Sequence, residues 1–211
     1  MRIPYNYALY LVTDSELCPR ENLFSQVERA LQGGVTMVQL REKDLGSLAF
    51  YQTALKMKSL TDRYHVPLII NDRLDIALAV DAAGVHVGQS DLPAAVVRRL
   101  MGPEKLVGVS ASTVAEAVIA YNDGADYLGV GAVFPTSTKK DAVNIKDSIA
   151  MLTAIHAAVP IPMVGIGGIS EKNIDKLYGT DIDGVAVVSA LMCAKDPRAA
   201  AERLLACTNS L

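Results

Sequence analysis

"LVGVSASTVAEAVIAYNDGADYLGVG", residues 106–131, joins an apolar run to an amphipathic segment and then to a second apolar run. Both apolar runs are nearly continuous in Val, Leu and Gly rather than alternating with polar residues, the pattern of parallel strands buried on both faces. Between them, Val114, Ala117, Val118 and Tyr121 follow the i, i+3, i+4, i+7 spacing of one helix face. Thr113 and Glu116 have the spacing of a capping box at its start, and Gly124 stands where a helix C-cap is wanted. The stretch therefore predicts a strand, a crossover helix and a parallel strand.

The same unit recurs along the whole chain. Further apolar runs are "ALYLVT" from residue 8, "VTMVQL" from 35, "PLIIN" from 67, "GVHVG" from 84, "IPMVGIGG" from 161 and "DGVAVVS" from 183. With "LVGVS" from 106 and "DYLGVG" from 126, extended through Phe134, they make eight candidate strands. Ile145, Ile149, Leu152 and Ile155 form another helix stripe, and Gly33 and Gly179 occupy further C-cap positions. Eight such strands can close as a (β/α)8 barrel or lie open as a doubly wound sheet. Closure is favoured because the eighth strand leads into a helical tail, "ALMCAKDPRAAAERLLA", and no G-x-G-x-x-G follows the first strand. No low-complexity segment or Pro/Gly/Ser-rich linker divides residues 1–211, so one barrel domain is expected.

Composition narrows the function. The 211 residues are 51% hydrophobic, enough for a sizeable core without staples. Cys18, Cys193 and Cys207 are odd in number and widely spaced, which suggests neither a disulfide framework nor a zinc site and fits a reducing cytoplasm. Twenty basic residues against 23 acidic ones give a net charge of -3; with no Trp and 5% aromatics, a nucleic-acid surface is not expected. Charged residues interrupt every hydrophobic run before membrane-spanning length. A small-molecule site in a monomer or small homo-oligomer is the resulting expectation.

In a (β/α)8 barrel the active site gathers at the C-terminal strand ends. Thr13 and Asp14 follow the first run; Gln39, Arg41 and Lys43 the second; Asn71 and Asp72 the third; Gln89 and Asp91 the fourth. Ser110 follows the fifth, Thr136, Ser137, Thr138 and Lys139 the sixth, Gly167 and Gly168 the seventh, and Ser189 the eighth. Strand ends are also where turn residues and caps belong, which accounts equally well for Ser110, Ser170 and Ser189 taken singly. Arg41, Lys43 and Lys139 are not turn formers. Beside two carboxylates, Asp72 and Asp91, they suit an anion plus Mg2+, which takes oxygen ligands and keeps positions open for phosphate oxygens. Glycines after the seventh strand and the start of the next helix offer N–H groups to a second phosphate. His86, alone in an apolar run, reads first as a packed or hydrogen-bonded structural residue rather than a general base.

These residues, in "YLVTD", "QLREK", "IINDRLDIALAVDAAGVHVGQSDLP", "VGVSAST", "GADYLGVGAVFPTSTKKDA" and "GIGGI", resemble the thiamine phosphate synthase (thiamine-phosphate pyrophosphorylase) family from residue 10 to the "VVSA" at 187. The resemblance implies coupling of an aminopyrimidine methyl diphosphate with a thiazole phosphate. It implies a pyrimidine diphosphate site at Gln39, Leu40, Arg41, Glu42, Lys43 and Asn71, with Ser110 and Lys139 as further diphosphate contacts. It implies Mg2+ at Asp72 and Asp91, and a thiazole phosphate site at Thr136, Ser137, Thr138, Gly168, Val188 and Ser189. Arg41, Lys43, Ser110 and Lys139 are its expected catalytic contacts. The alternatives are a related barrel that only tautomerises a thiazole, a non-catalytic barrel that binds a phosphorylated metabolite, and an isomerase with an acid/base pair.

Overall fold

Each apolar run becomes one short strand in the computed structural model, which describes residues 5–136, 145 and 147–211. The strands are β1 (Leu9–Val12), β2 (Met37–Leu40), β3 (Leu68–Asn71), β4 (Gly84–Val87), β5 (Leu106–Ala111), β6 (Tyr127–Val130), β7 (Met163–Ile166) and β8 (Gly184–Val187). All pair in parallel with their sequence neighbours, and β8 returns to β1, so the sheet is a closed eight-stranded barrel. The expected (β/α)8 TIM barrel is the fold.

Helices α1 (Arg20–Gln32), α2 (Ser47–Arg63), α3 (Leu74–Ala79), α4 (Ala94–Met101), α5 (Val114–Asn122) and α6 (Ser148–Ala158) follow β1 to β6. After β7 comes only a single 3-10 turn, Ile174–Leu177; β8 is followed by the short α7 (Ser189–Met192) and by α8 (Pro197–Thr208). The helix expected behind the glycines of β7 is thus not formed. No helix among the described residues is long and apolar enough to cross a membrane.

Strand residues alternate between two apolar surroundings. Leu9, Leu11, Val38, Leu40, Leu68, Ile70, Val85, Val107, Leu128 and Val185 join the helices in the main core. The intervening Tyr10, Val12, Met37, Ile69, Leu106, Tyr127, Val164 and Ala186 fill the barrel interior. Because the strand period is two, Leu40 lies on the helix side and Gln39 beside it on the inner side.

At the start of α5, Thr113 Oγ1 accepts the Glu116 N–H, and Glu116 reaches back to the N–H of Ser112, one residue before the cap. On this helix Ala117 and Ala120 are buried while Tyr121 is exposed, so the core face is rotated away from the Tyr121 end of the predicted stripe. Ile145 precedes α6 rather than belonging to it, while Leu152 and Ile155 are buried as expected. β6 ends at Val130, short of the predicted Phe134; Val133 and Phe134 instead donate to Ile166 and Gly167 carbonyls. Gly33 caps α1 with negative φ, and its missing Cβ is required by α8, whose Arg198 carbonyl and Ala201 methyl occupy the space. Below β5 and β6, Arg98 donates to the carbonyls of Gly102, Lys105 and Gly124 and pairs with Asp126, which also accepts the Val107 N–H. This clasp ties α4 to the end of the barrel opposite the strand C-termini.

Candidate active site

A cavity of about 540 Å³ opens at the C-terminal ends of the strands. Its walls bring together Gln39, Arg41, Lys43, Asn71, Asp72, Asp91, Ser110, Thr136, Gly168, Val188 and Ser189, residues contributed by β2 to β8 and the loops behind them. Ser137, Thr138 and Lys139 lie outside the described residues.

Two of the residues expected here do not reach the cavity. Leu40 is fully buried on the helix side of β2. Glu42 turns away from the cavity: its Oε2 accepts the Ser15 hydroxyl at 3.0 Å and lies 3.5 Å from the Arg20 guanidinium. Its Oε1 is buried with no hydrogen-bond partner among the described residues. Burial pushes the Glu42 carboxyl above its ordinary value, with Ser15 and Arg20 partly offsetting the rise. Arg41 and Lys43 line the cavity, while Glu42 between them packs toward Ser15 and Arg20.

Arg41 is held by Asp14, whose Oδ2 accepts Nη1 at 2.9 Å. The other Asp14 oxygen accepts the N–H groups of Glu16 and Leu17, and Thr13 Oγ1 accepts the Arg41 N–H. Asp14 is buried yet lines the cavity, so it anchors the guanidinium from below. The sequence placed Asp14 at the rim without a role; the signal was a carboxylate directly behind β1, facing an arginine directly behind β2.

Asp72 and Asp91 come from neighbouring loops, and each is placed by the backbone. The Asp72 N–H donates to the His86 carbonyl at 2.8 Å while Asp72 itself adopts φ 60°, a left-handed conformation that Asp tolerates better than most residues. Asp91 Oδ2 accepts the Gly88 N–H at 2.7 Å. Burial, then the charge and proximity of Asp72, push the Asp91 carboxyl above its usual range, partly offset by Gly88 and Lys43. Lys43 Nζ lies 2.8 Å from Asp72 Oδ2. Two mutually repelling carboxylates that already attract one ammonium group form a hard-oxygen donor pair. Such a pair fits Mg2+, which is held by one or two carboxylates while substrate oxygens complete its shell. No group of three or more His, Cys, Asp or Glu suited to a metal occurs among the described residues.

The opposite wall carries no charge among the described lining residues: Gly167, Gly168, Ile169, Val188 and Ser189 form it. Gly167 and Gly168 have φ of 99° and 65°, and a Cβ on Gly168 would strike the carbonyls of Phe134 and Pro135. Asn173 fixes this loop, donating to the Gly168 carbonyl and accepting the Ser170 N–H. Here backbone groups, rather than ammonium or guanidinium groups, face the cavity.

His86 is buried and hydrogen-bonded through both ring nitrogens, to Tyr127 and Ser110, as its structural reading expected. The cavity floor also contains Tyr10, and neither Tyr10 nor Tyr127 was picked out from the sequence. Their hydroxyls sit in otherwise apolar strand stretches, which gives no local signal.

Fold and cavity together define a (β/α)8 barrel with a polar small-molecule site at the C-terminal face of its strands, cationic and acidic on one side and glycine-lined on the other. The family model for thiamine monophosphate synthase matches residues 9–191. A thiamine-phosphate synthase of Ruminiclostridium cellulolyticum is 56% identical over 205 residues, covering 97% of each chain. One of Clostridium tetani is 53% identical over 196 residues, covering 93% of each. The structure of thiamine phosphate pyrophosphorylase from Pyrococcus furiosus superposes with a TM-score of 0.86 at 37% identity, covering 97% of this chain and 96% of that one. The chain belongs to the thiamine monophosphate synthase family.

Proposed function

We propose that this chain is a diphosphate-releasing transferase that joins 4-amino-2-methyl-5-(diphosphomethyl)pyrimidine to a thiazole phosphate, giving thiamine phosphate. The observation that carries the reading is the division of one cavity into a charged wall, Arg41 and Lys43 with the Asp72–Asp91 pair, and a glycine-lined wall at Gly167–Gly168, which in this reading bind one anion each. Two phosphorylated substrates need two such walls with their reacting carbons between them.

In this reading the bond from the pyrimidine methylene to the diphosphate oxygen breaks, and the electron pair leaves with the diphosphate. The electron-rich aminopyrimidine carries the resulting positive charge until the thiazole nitrogen supplies the pair for the new C–N bond. No proton transfer is required in this scheme. Arg41, oriented by Asp14, and Lys43 would hold the departing diphosphate, joined by Ser110 and, from the resemblance, Lys139. Asp72 and Asp91 would hold Mg2+, which when bound supplies positive charge to the diphosphate oxygens. Gly168, Val188 and Ser189 would receive the thiazole phosphate, completed by Thr136, Ser137 and Thr138. Three unpaired cysteines suit work in a reducing cytoplasm.

The test is incubation of the purified protein with both half-molecules, with and without Mg2+. Equimolar thiamine phosphate and diphosphate, formed only with the metal, is the expected result. No coupling under either condition overturns the reading.

A further inference from the structure

We propose that one directed chain of hydrogen bonds crosses the barrel interior from Gln39 through Tyr10, Tyr127 and His86 to Ser110, and dictates what its two ends present to the cavity: an acceptor at Gln39 and a donor at Ser110.

The chain links residues of five strands. Gln39 Nε2 donates to the Tyr10 hydroxyl at 2.8 Å. The Tyr10 and Tyr127 hydroxyls are 2.9 Å apart, Tyr127 lies 3.1 Å from His86 Nδ1, and His86 Nε2 lies 3.0 Å from Ser110 Oγ. Both tyrosines are buried, and burial raises their hydroxyl pKa values above the ordinary phenol range, so each keeps its one proton and can donate once. With the Gln39 amide donating, and with each buried hydroxyl proton requiring an acceptor, a single arrangement satisfies both tyrosines. Tyr10 accepts from Gln39 and donates to Tyr127; Tyr127 donates to His86 Nδ1; His86 carries its proton on Nε2 and donates to Ser110 Oγ. The Ser110 proton is then directed elsewhere, and the Gln39 Oε1 takes no bond from the described residues.

Both ends line the cavity. The inference rests on the proposed function at one point: a diphosphate oxygen can only accept, so a Ser110 hydroxyl that binds it must donate, which forces the same direction from the other end. The Gln39 carbonyl is then matched to an N–H donor such as the exocyclic amine of an aminopyrimidine, and would repel a ring bearing a carbonyl there. Tyr10 and His86 border the cavity floor and Tyr127 lies behind them; in this scheme all three act through Gln39 and Ser110 and are positioning residues. The strands make room for them. Gly108 pairs with His86 on one side and Tyr127 on the other, and a Cβ there would overlap the Tyr127 ring and hydroxyl and His86 Nδ1. Gly129 likewise faces His86, with Cε1 at 3.1 Å from where its Cβ would stand.

The direct test is 15N NMR of the full chain labelled at histidine, with His65→Asn and His156→Gln variants used for assignment. His86 is expected to show a bare Nδ1 and a protonated Nε2; a proton on Nδ1, or on both nitrogens, overturns the chain. This reading needs no variant at the chain and no turnover. The second arm uses Tyr10→Phe and Tyr127→Phe, with thermal melting as the folding control. Each is expected to raise the KM for the pyrimidine diphosphate by about five- to tenfold, while the KM for the thiazole phosphate stays within about twofold, the loss of one buried hydrogen bond at one substrate. The double variant should be no worse than the weaker single one, because both cut the same chain. Unchanged pyrimidine KM, or additive losses, overturn the positioning role. If the histidine tautomer is as expected but no coupling activity exists, the proposed function falls and the direction of the chain stands.

Discussion

Replacing Gly108 by alanine adds one methyl group where the barrel interior has no space for it. The new carbon would meet the Tyr127 ring and hydroxyl and the His86 Nδ1, none of which is the loose end of a flexible side chain. Tyr127 is fully buried and packs against Tyr7, Tyr10 and His86, so it cannot swing aside without moving three other rings. Overpacking of this kind, together with a broken His86–Tyr127 hydrogen bond, is expected to cost about 2–4 kcal/mol. For a chain of this size that is a fall in Tm of about 5–15 °C. Gly129→Ala provides the internal comparison: its nearest neighbour is His86 Cε1 at 3.1 Å, so a shift of a few tenths of an ångström relieves it. Its expected cost is about 1 kcal/mol or less. Urea unfolding of the two variants beside the parent protein measures both values. A Gly108→Ala loss below about 0.5 kcal/mol, or equal losses at the two glycines, would refute close packing at Gly108.

Arg98→Ala leaves Asp126 largely buried without its cation and frees three carbonyls, so unfolding should become easier by about 3 kcal/mol while turnover per folded molecule is unchanged. A loss under about 1 kcal/mol would show that water replaces the clasp. Glu42 has its carboxyl pushed up in the fold, so the folded state holds this proton more tightly than the unfolded chain. Stability from this group is therefore present below the ordinary glutamate value and declines as pH rises through the higher folded value. Glu42→Gln should flatten that decline in urea titrations at successive pH values; an unaltered slope argues that Glu42 is not its source. Lys139→Ala should lower turnover by about a hundredfold or more, with a smaller change in the thiazole phosphate KM, and the reverse order would remove Lys139 from the diphosphate side.

The strand positions were legible because eight apolar runs are separated by amphipathic segments, and the site was legible because polar residues follow those runs. "QLREK" illustrates the limit. It identified Gln39, Arg41 and Lys43, yet gave no way to tell that Leu40 faces the helices or that Glu42 turns to Ser15 and Arg20. The helix predicted after "GIGG" failed for a related reason: Ile174 and Leu177 are buried, but only a 3-10 turn separates β7 from β8.

What the sequence determined by itself is the order of strands and helices, and the set of polar residues delivered to one rim. Both follow from short-range chemistry, namely hydrophobic runs, helix periodicity and caps. Only the closed barrel decided which alternate residues look inward. In strands apolar on both faces the period of two carries no contrast, so Tyr10, Tyr127 and Gly108 read like any other buried positions. Sequential parallel pairing sets β4, β5 and β6 side by side, and there Gly108 becomes the gap in which His86 and Tyr127 meet. The pairing of Asp14 with Arg41 and of Asp72 with Asp91 has the same origin: neighbouring strand ends bring together charges that lie far apart along the chain.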